Sequence, residues 1–83
     1  MKLSELYSDL NSQAFDGKLP TIPVFYNKKL KSTAGKFKFA KGKGFIEISP
    51  NVCRDAGQVK ETLAHEMCHA AQKFVDKVVK PRA

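Results

Sequence analysis

Apolar residues return at Leu3, Leu6, Tyr7, Leu10, Ala14 and Phe15, a spacing that predicts an amphipathic helix at the start of the chain. Ser4 stands where an N-cap would be, and Asp16-Gly17 supplies a stop. The pattern then changes. Pro20 and Pro23 punctuate an apolar stretch, and Ile22 to Tyr26 reads as a short strand at a sheet edge, because proline cannot donate to a ladder. Lys36-Phe37-Lys38-Phe39 alternates with period two, the mark of a half-buried strand, and Phe45-Ile46-Glu47-Ile48 does much the same. Between them Ala40-Lys41-Gly42-Lys43-Gly44 has the length and glycines of a hairpin loop, which makes the two runs an antiparallel pair. Beyond Pro50, the positions Val59, Leu63, Met67, Ala70, Phe74 and Val78 form one stripe of a long helix from about Asp55 to Val79, stopped by Pro81.

Helix, three strands and helix, in that order, predict an α+β fold: an N-terminal helix, a small three-stranded antiparallel sheet and a C-terminal helix, the helices packed on one face. The 83 residues are expected to form one domain, 1–83. A chain this short buries only about 60 to 65% of the surface its unfolded form exposes, so the core is thin and a staple such as a metal would matter. No apolar run approaches the roughly 18 residues of a membrane helix, and Met1-Lys2-Leu3-Ser4-Glu5 lacks the apolar stretch of a secretory signal. The expectation is an intracellular monomer without a membrane partner, in which Cys53 and Cys68 are thiols in a reducing compartment.

Charge adds a direction to this picture. Fifteen Lys and Arg against eight Asp and Glu give +7. From Gly17 to Ile46 there are eight lysines and no acid, so the excess belongs to the middle third. A field of that kind attracts a polyanion, nucleic acid first. The contact candidates are Lys28, Lys29, Lys31, Lys36, Lys38, Lys41 and Lys43. Lys36 and Lys38 share one strand face and Phe37 and Phe39 the other, which suits phosphate on one side and core on the other. Lysine in place of arginine fits point-charge contact with phosphates, hence nonspecific DNA binding. A solvated face that binds nothing specific is the alternative.

Candidate chemistry sits in the last helix, at His65-Glu66-Met67-Cys68-His69. Residues four apart stack on one helix face, so His65 and His69 can hold one zinc ion through ring nitrogens at about 2.0 to 2.1 Å. Glu66 falls beside them. In zinc peptidases with this H-E-x-x-H pattern, that carboxylate takes a proton from the attacking water and delivers it to the leaving amine. A five-residue pattern with two open positions also arises by chance, but here it lies within a helix, takes both histidines of the chain and stands opposite an apolar stripe.

Beyond these features, Leu6-Tyr7, Leu10-Asn11, Phe15-Asp16-Gly17-Lys18-Leu19-Pro20, Asn27-Lys28-Lys29-Leu30, Thr33-Ala34-Gly35, Ile46-Glu47-Ile48-Ser49 and Thr62 to Ala71 together resemble the SprT-like metalloprotease domain, most of all its eukaryotic Spartan and germ cell nuclear acidic protein members. The resemblance runs along most of the chain. It implies a zincin-type active-site helix with Zn2+ on His65 and His69 and Glu66 as catalytic base. It also implies a DNA-stimulated peptidase that degrades proteins crosslinked to DNA, and a nuclear location.

Two departures bear on that expectation. Family members carry a third zinc-binding histidine on a segment after the active helix, and usually a further zinc-binding or DNA-binding subdomain; both are expected to be lacking here. Between Ala70 and Ala83 there is no histidine and one acid, Asp76, seven residues beyond His69 and so about 10 Å along the helix axis. Cys68 lies toward the apolar stripe and reads as a small buried residue, while Cys53 has no partner cysteine at finger spacing. The leading expectation is a SprT-like zinc peptidase core acting on DNA-bound proteins. The alternative is a noncatalytic basic DNA-binding module that keeps the helix as scaffold.

Overall fold

In a computed structural model, which describes residues 2–74, helix α1 spans Leu3–Ala14. Leu3, Tyr7 and Leu10 are its buried stripe. Ser4 is not its cap: the helix begins two residues earlier than that cap would allow, Lys2 takes the extended N-cap conformation, and no side chain bonds the free N–H groups there. At the other end Asp16 and Gly17 both have positive φ, 55° and 68°, and the Gly17 N–H turns back to the Asn11 carbonyl at 2.8 Å. That ends the helix where the sequence placed a stop.

Strand β1 (Val24–Tyr26) lies at a sheet edge as expected, followed by β2 (Gly35–Ala40), β3 (Lys43–Ile48) and helix α2 (Ala56–Phe74). The architecture is α+β. The sheet, however, is mixed and not wholly antiparallel: its order is β1-β3-β2, with β1 parallel and β2 antiparallel to β3. An all-antiparallel sheet assumes that β1 pairs with its neighbour in sequence. Here the most buried strand takes the centre instead, with Ile46 and Ile48 fully buried, and the proline-flanked and lysine-rich strands take the edges. The hairpin loop is also tighter than the sequence suggests. Ala40 pairs with Lys43, so the turn is only Lys41-Gly42, and both have positive φ, the requirement of a type I′ turn.

Helix α2 starts at a well-made cap. Asp55 Oδ1 accepts from the Gln58 N–H at 2.8 Å, and Gln58 Oε1 accepts from the Arg54 N–H at 2.7 Å, so the two side chains satisfy free donors reciprocally. Val59, Leu63, Met67 and Ala70 form the buried stripe, and it meets Ile46, Ile48 and the apolar side of α1. Phe74 closes over Phe37 and Phe39, with ring centroids 6.3 and 5.2 Å away. The expected extension to Val79, with Val78 in the stripe and Pro81 as stop, lies outside the described residues. Among the described residues no helix is long and apolar enough to cross a membrane.

The segment between α1 and β1 is pinned by side chains of α1. Asn11 makes two bonds with the backbone of buried Leu19, at 2.9 and 3.1 Å, and the Tyr7 hydroxyl donates to the Pro20 carbonyl at 2.6 Å. Burial pushes the Tyr7 phenol from its ordinary 10.0 up to about 12. A folded-state pKa above the unfolded value means that the neutral phenol's contribution is complete below the unfolded pKa and is lost as pH rises through the folded one. Tyr7→Phe is therefore expected to cost about 1 kcal/mol near neutral pH through the lost hydrogen bond, and the gap to the parent chain should close as pH rises from about 10 to about 12. Denaturation midpoints of both proteins across that range check this.

Candidate functional site

His65, Glu66 and His69 reach their positions because α2 must turn its apolar stripe to the sheet. His65 and His69 are exposed on the adjoining side, one turn apart, with ring centroids 4.9 Å apart and planes at 87°. Glu66 is 100° around the helix from His65 and 60° from His69, which carries it toward the sheet, where it is buried to 8% exposure. It lines a cleft of about 410 Å³ between α2 and the start of β2, together with His69, Gln72 and Lys73 of the helix and Thr33, Gly35, Lys36 and Phe37 of the strand side. Cys68 turns the other way and is exposed, not buried as its spacing suggested. The stripe is narrower than a reading by apolar type alone implies, and position 68 falls just past its edge.

Residue 35 has to be glycine here. A Cβ on it would stand 2.6 Å from Thr62 Cγ2, 3.2 Å from the Glu47 carbonyl oxygen and 3.3 Å from Glu66 Cγ. The strand backbone thus lies directly against α2 at the Glu66 turn. Cys53 supports the same junction. Its thiol is buried and hydrogen-bonds Thr62 Oγ1 at 3.3 Å and the Ala34 carbonyl at 3.6 Å. Ser49, fully buried, ties the incoming loop: its hydroxyl donates to the Leu30 carbonyl at 2.7 Å, and its N–H to the Ala34 carbonyl at 2.8 Å. Nothing in the spacing of Gly35 or Thr62 marks this contact; only the H-E-x-x-H helix and the strand read together could have suggested it.

The seven candidate lysines are all exposed, but they do not form one patch. Lys36, Lys38 and Lys43 share the sheet face turned away from α2, whereas Lys41 is in the turn. Lys28, Lys29 and Lys31 lie on the loop after β1, at the opposite end of the sheet from that turn, about 20 Å away along a six-residue strand. That loop is held by Asn27, which accepts from the Lys29 N–H at 2.9 Å, and by Asn51, which donates to the Lys28 and Leu30 carbonyls. Phe37 and Phe39 face the helix, as their alternation predicts. Phe25 and Phe45, in contrast, stand on the lysine face, and the sequence signal for this is that Phe45 has the same parity as the polar Glu47.

Comparison with known proteins decides the family. Residues 3–81 match the SprT-like family. The chain belongs to that family. It is 40% identical over 60 residues to the germ cell nuclear acidic-1 protein of Caenorhabditis elegans, covering 71% of this chain and 11% of that protein. It is 34% identical over 82 residues to the germ cell nuclear acidic protein of Homo sapiens, covering 89% of this chain and 12% of that protein. With the Drosophila melanogaster protein of that name it shares 37% over 70 residues, 80% of this chain and 7% of the other. The SprT-like chain thus spans about a tenth of the length of these relatives. No solved structure matches it significantly.

The SprT-like family is a DNA-associated protease family and is generally associated with zinc. The donor set fits part of such a site. His65 and His69 supply two ring-nitrogen donors at the spacing one ion requires, but among the described residues no group of three His, Cys, Asp or Glu comes together.

The Gly35 contact yields a prediction. Gly35→Ala should destabilise the fold by about 1 to 3 kcal/mol, because the new methyl meets Thr62 at a distance no packed side chain tolerates. Adding Thr62→Ala should recover part of that loss, which a double-mutant cycle of chemical denaturation midpoints reads directly. Additive losses would show that the crowding lies elsewhere.

Proposed function

We propose that this SprT-like chain is the core of a zinc-dependent peptidase that acts in the nucleus on proteins bound or crosslinked to DNA, as part of DNA repair. The observation that carries the reading is the placement of His69 and buried Glu66 in one cleft beside an edge strand, with the His65 ring one helix turn away from that of His69. His65 and His69 would hold the metal through ring nitrogens, and a third ligand would come from beyond the described residues or from solvent. Zinc, when bound, polarises a carbonyl and brings the pKa of its water toward 7.

The chain's own residues account for the remaining steps. Among the described residues the outer edge of β2 has no strand beside it and offers backbone N–H and C=O groups along the cleft, and an extended peptide pairing with them would be set across Glu66. Glu66 then takes the proton of the attacking water and passes it to the leaving amine. Its burial against Gly35 fixes the carboxylate's position and limits bulk water on that side. The relatives are named as nuclear proteins, which supports the location. The lysine-bearing face supplies the DNA contact.

Metal analysis and kinetics test this. The chain should bind zinc more weakly than a three-ligand site does, and His65→Ala and His69→Ala should each abolish what binds. Glu66→Gln should leave zinc binding and the fold intact and lower peptidase turnover by about 10² to 10⁴, because the amide keeps the shape but takes no proton. Zinc retained by the double histidine variant would put the metal elsewhere.

A noncatalytic DNA-binding module on the same scaffold is the second reading, and the observation in its favour is the two-histidine donor set among the described residues. A chain that neither holds nor can be loaded with zinc, yet binds DNA, would establish it.

A further inference from the structure

The sheet face turned away from α2 carries aromatic rings among its lysines. Gly44, Ile46 and Ile48 are buried toward the helix side, so Lys43, Phe45 and Glu47 stand on the outer face of β3. In the register of the sheet Phe25 is level with Glu47, Lys38 is opposite Phe45, and Lys36 is opposite Glu47. Phe25 and Phe45 stack with centroids 5.6 Å apart and planes 17° from parallel. Phe25 is nevertheless 42% exposed, so one side of the pair is open. Beside it an apolar groove of about 520 Å³ runs past Pro20, Ile22 and Pro23 to Lys43.

We propose that this face binds single-stranded nucleic acid, with a base stacking on Phe25 in continuation of the Phe25–Phe45 pair and its phosphates on Lys36, Lys38 and Lys43. The inference rests on the DNA contact proposed above and gives it a place and a strandedness. An open ring beside lysines fits a ligand that presents a flat apolar surface and negative charge together, and an unpaired nucleotide does both. A duplex offers the charge but keeps its base faces stacked inside. Neighbouring strands lie about 5 Å apart, so the lysines stand about 5 to 10 Å from the rings, the scale on which a base is separated from its backbone phosphates. Glu47 is the one acid among the strand residues; it is 8% exposed, and its Oε2 accepts from Asn27 Nδ2 at 3.1 Å, which sinks its charge below the surface the lysines present.

Fluorescence anisotropy with labelled oligothymidylate, an abasic phosphodiester strand of equal length and a duplex tests the proposal without metal or peptide. The expected result is binding of oligothymidylate about tenfold or more tighter than of the abasic strand or the duplex. Phe25→Leu with Phe45→Leu, which keeps apolar bulk without rings, should erase that preference and leave the salt slope unchanged. Lys36→Gln, Lys38→Gln and Lys43→Gln together should flatten the slope of log affinity against log salt by about 2 units. Equal affinity for oligothymidylate and the abasic strand would overturn the stacking surface while leaving a general DNA contact standing. Preference retained in the leucine variant would overturn it as well. Failure of all three probes to bind would overturn both the surface and the DNA contact, and would leave the zinc and Glu66 tests of the peptidase untouched.

Discussion

Where α2 crosses the start of β2, strand backbone lies against helix side chains so closely that even a methyl group at residue 35 would press on Thr62 and Glu66. Most of the structure can be traced to that approach. It lets Leu63, Met67 and Ala70 reach full burial against Ile46 and Ile48 in a core only one layer of side chains thick. It also sinks Glu66 into the helix–strand junction while His65 and His69, on the adjoining side, stay exposed. A larger residue at 35 would lift the helix, open the core and release the carboxylate in one movement. Cys53 and Ser49 hold the same junction from the loop side, Cys53 bonding Thr62 of α2, and their polar groups are used by the fold.

The sheet separates two kinds of chemistry. Its inner face meets α2 and carries Gly35, Phe37 and Phe39, whereas its outer face carries Lys36, Lys38 and Lys43 with Phe25 and Phe45. Period two along β2 enforces the division, since each lysine lies between residues committed to the helix side. Among the described residues the basic side chains that line the cleft are thereby limited to Lys36 and Lys73, the latter lying over the Phe39 ring at 5.8 Å. A strand that was lysine-rich on both faces would have placed ammonium groups against Glu66 and the core.

Much of this was legible in the sequence because the relevant signals are local. Helical spacing located α1 and α2, alternation located β2 and β3, and H-E-x-x-H put two imidazoles on one helix face. What escaped was non-local. Strand order depends on which strand gains most from the centre, so the parallel pairing of β1 with β3 could not be read from β1 itself. Cys68 was misplaced because helical angle alone does not say how wide the contact with the sheet is. Ser4 was misread as a cap because Leu3 is drawn into the helix by its own burial, and hydrophobic burial outweighs a cap worth about 1 kcal/mol. Gly35, which neither a turn nor a positive φ requires, is explained only by what lies across from it.

Strand β2 belongs to both faces, and this bears on how the proposed activities relate. Lys36 and Lys38 alternate with Gly35 and Phe37, so a phosphate held on one side of the strand and a peptide paired along its outer edge would meet the same few peptide units. Anything that stiffens β2 from the outer face reduces the freedom of the edge beside Glu66 and His69, and ordering that segment once serves both ligands. Among the described residues β2 is supported by β3 on one side, α2 beneath, and a two-residue turn at its end. Binding on the lysine face would therefore favour peptide binding in the cleft through the shared strand, with no need for a nucleic acid to touch the peptide or the histidines.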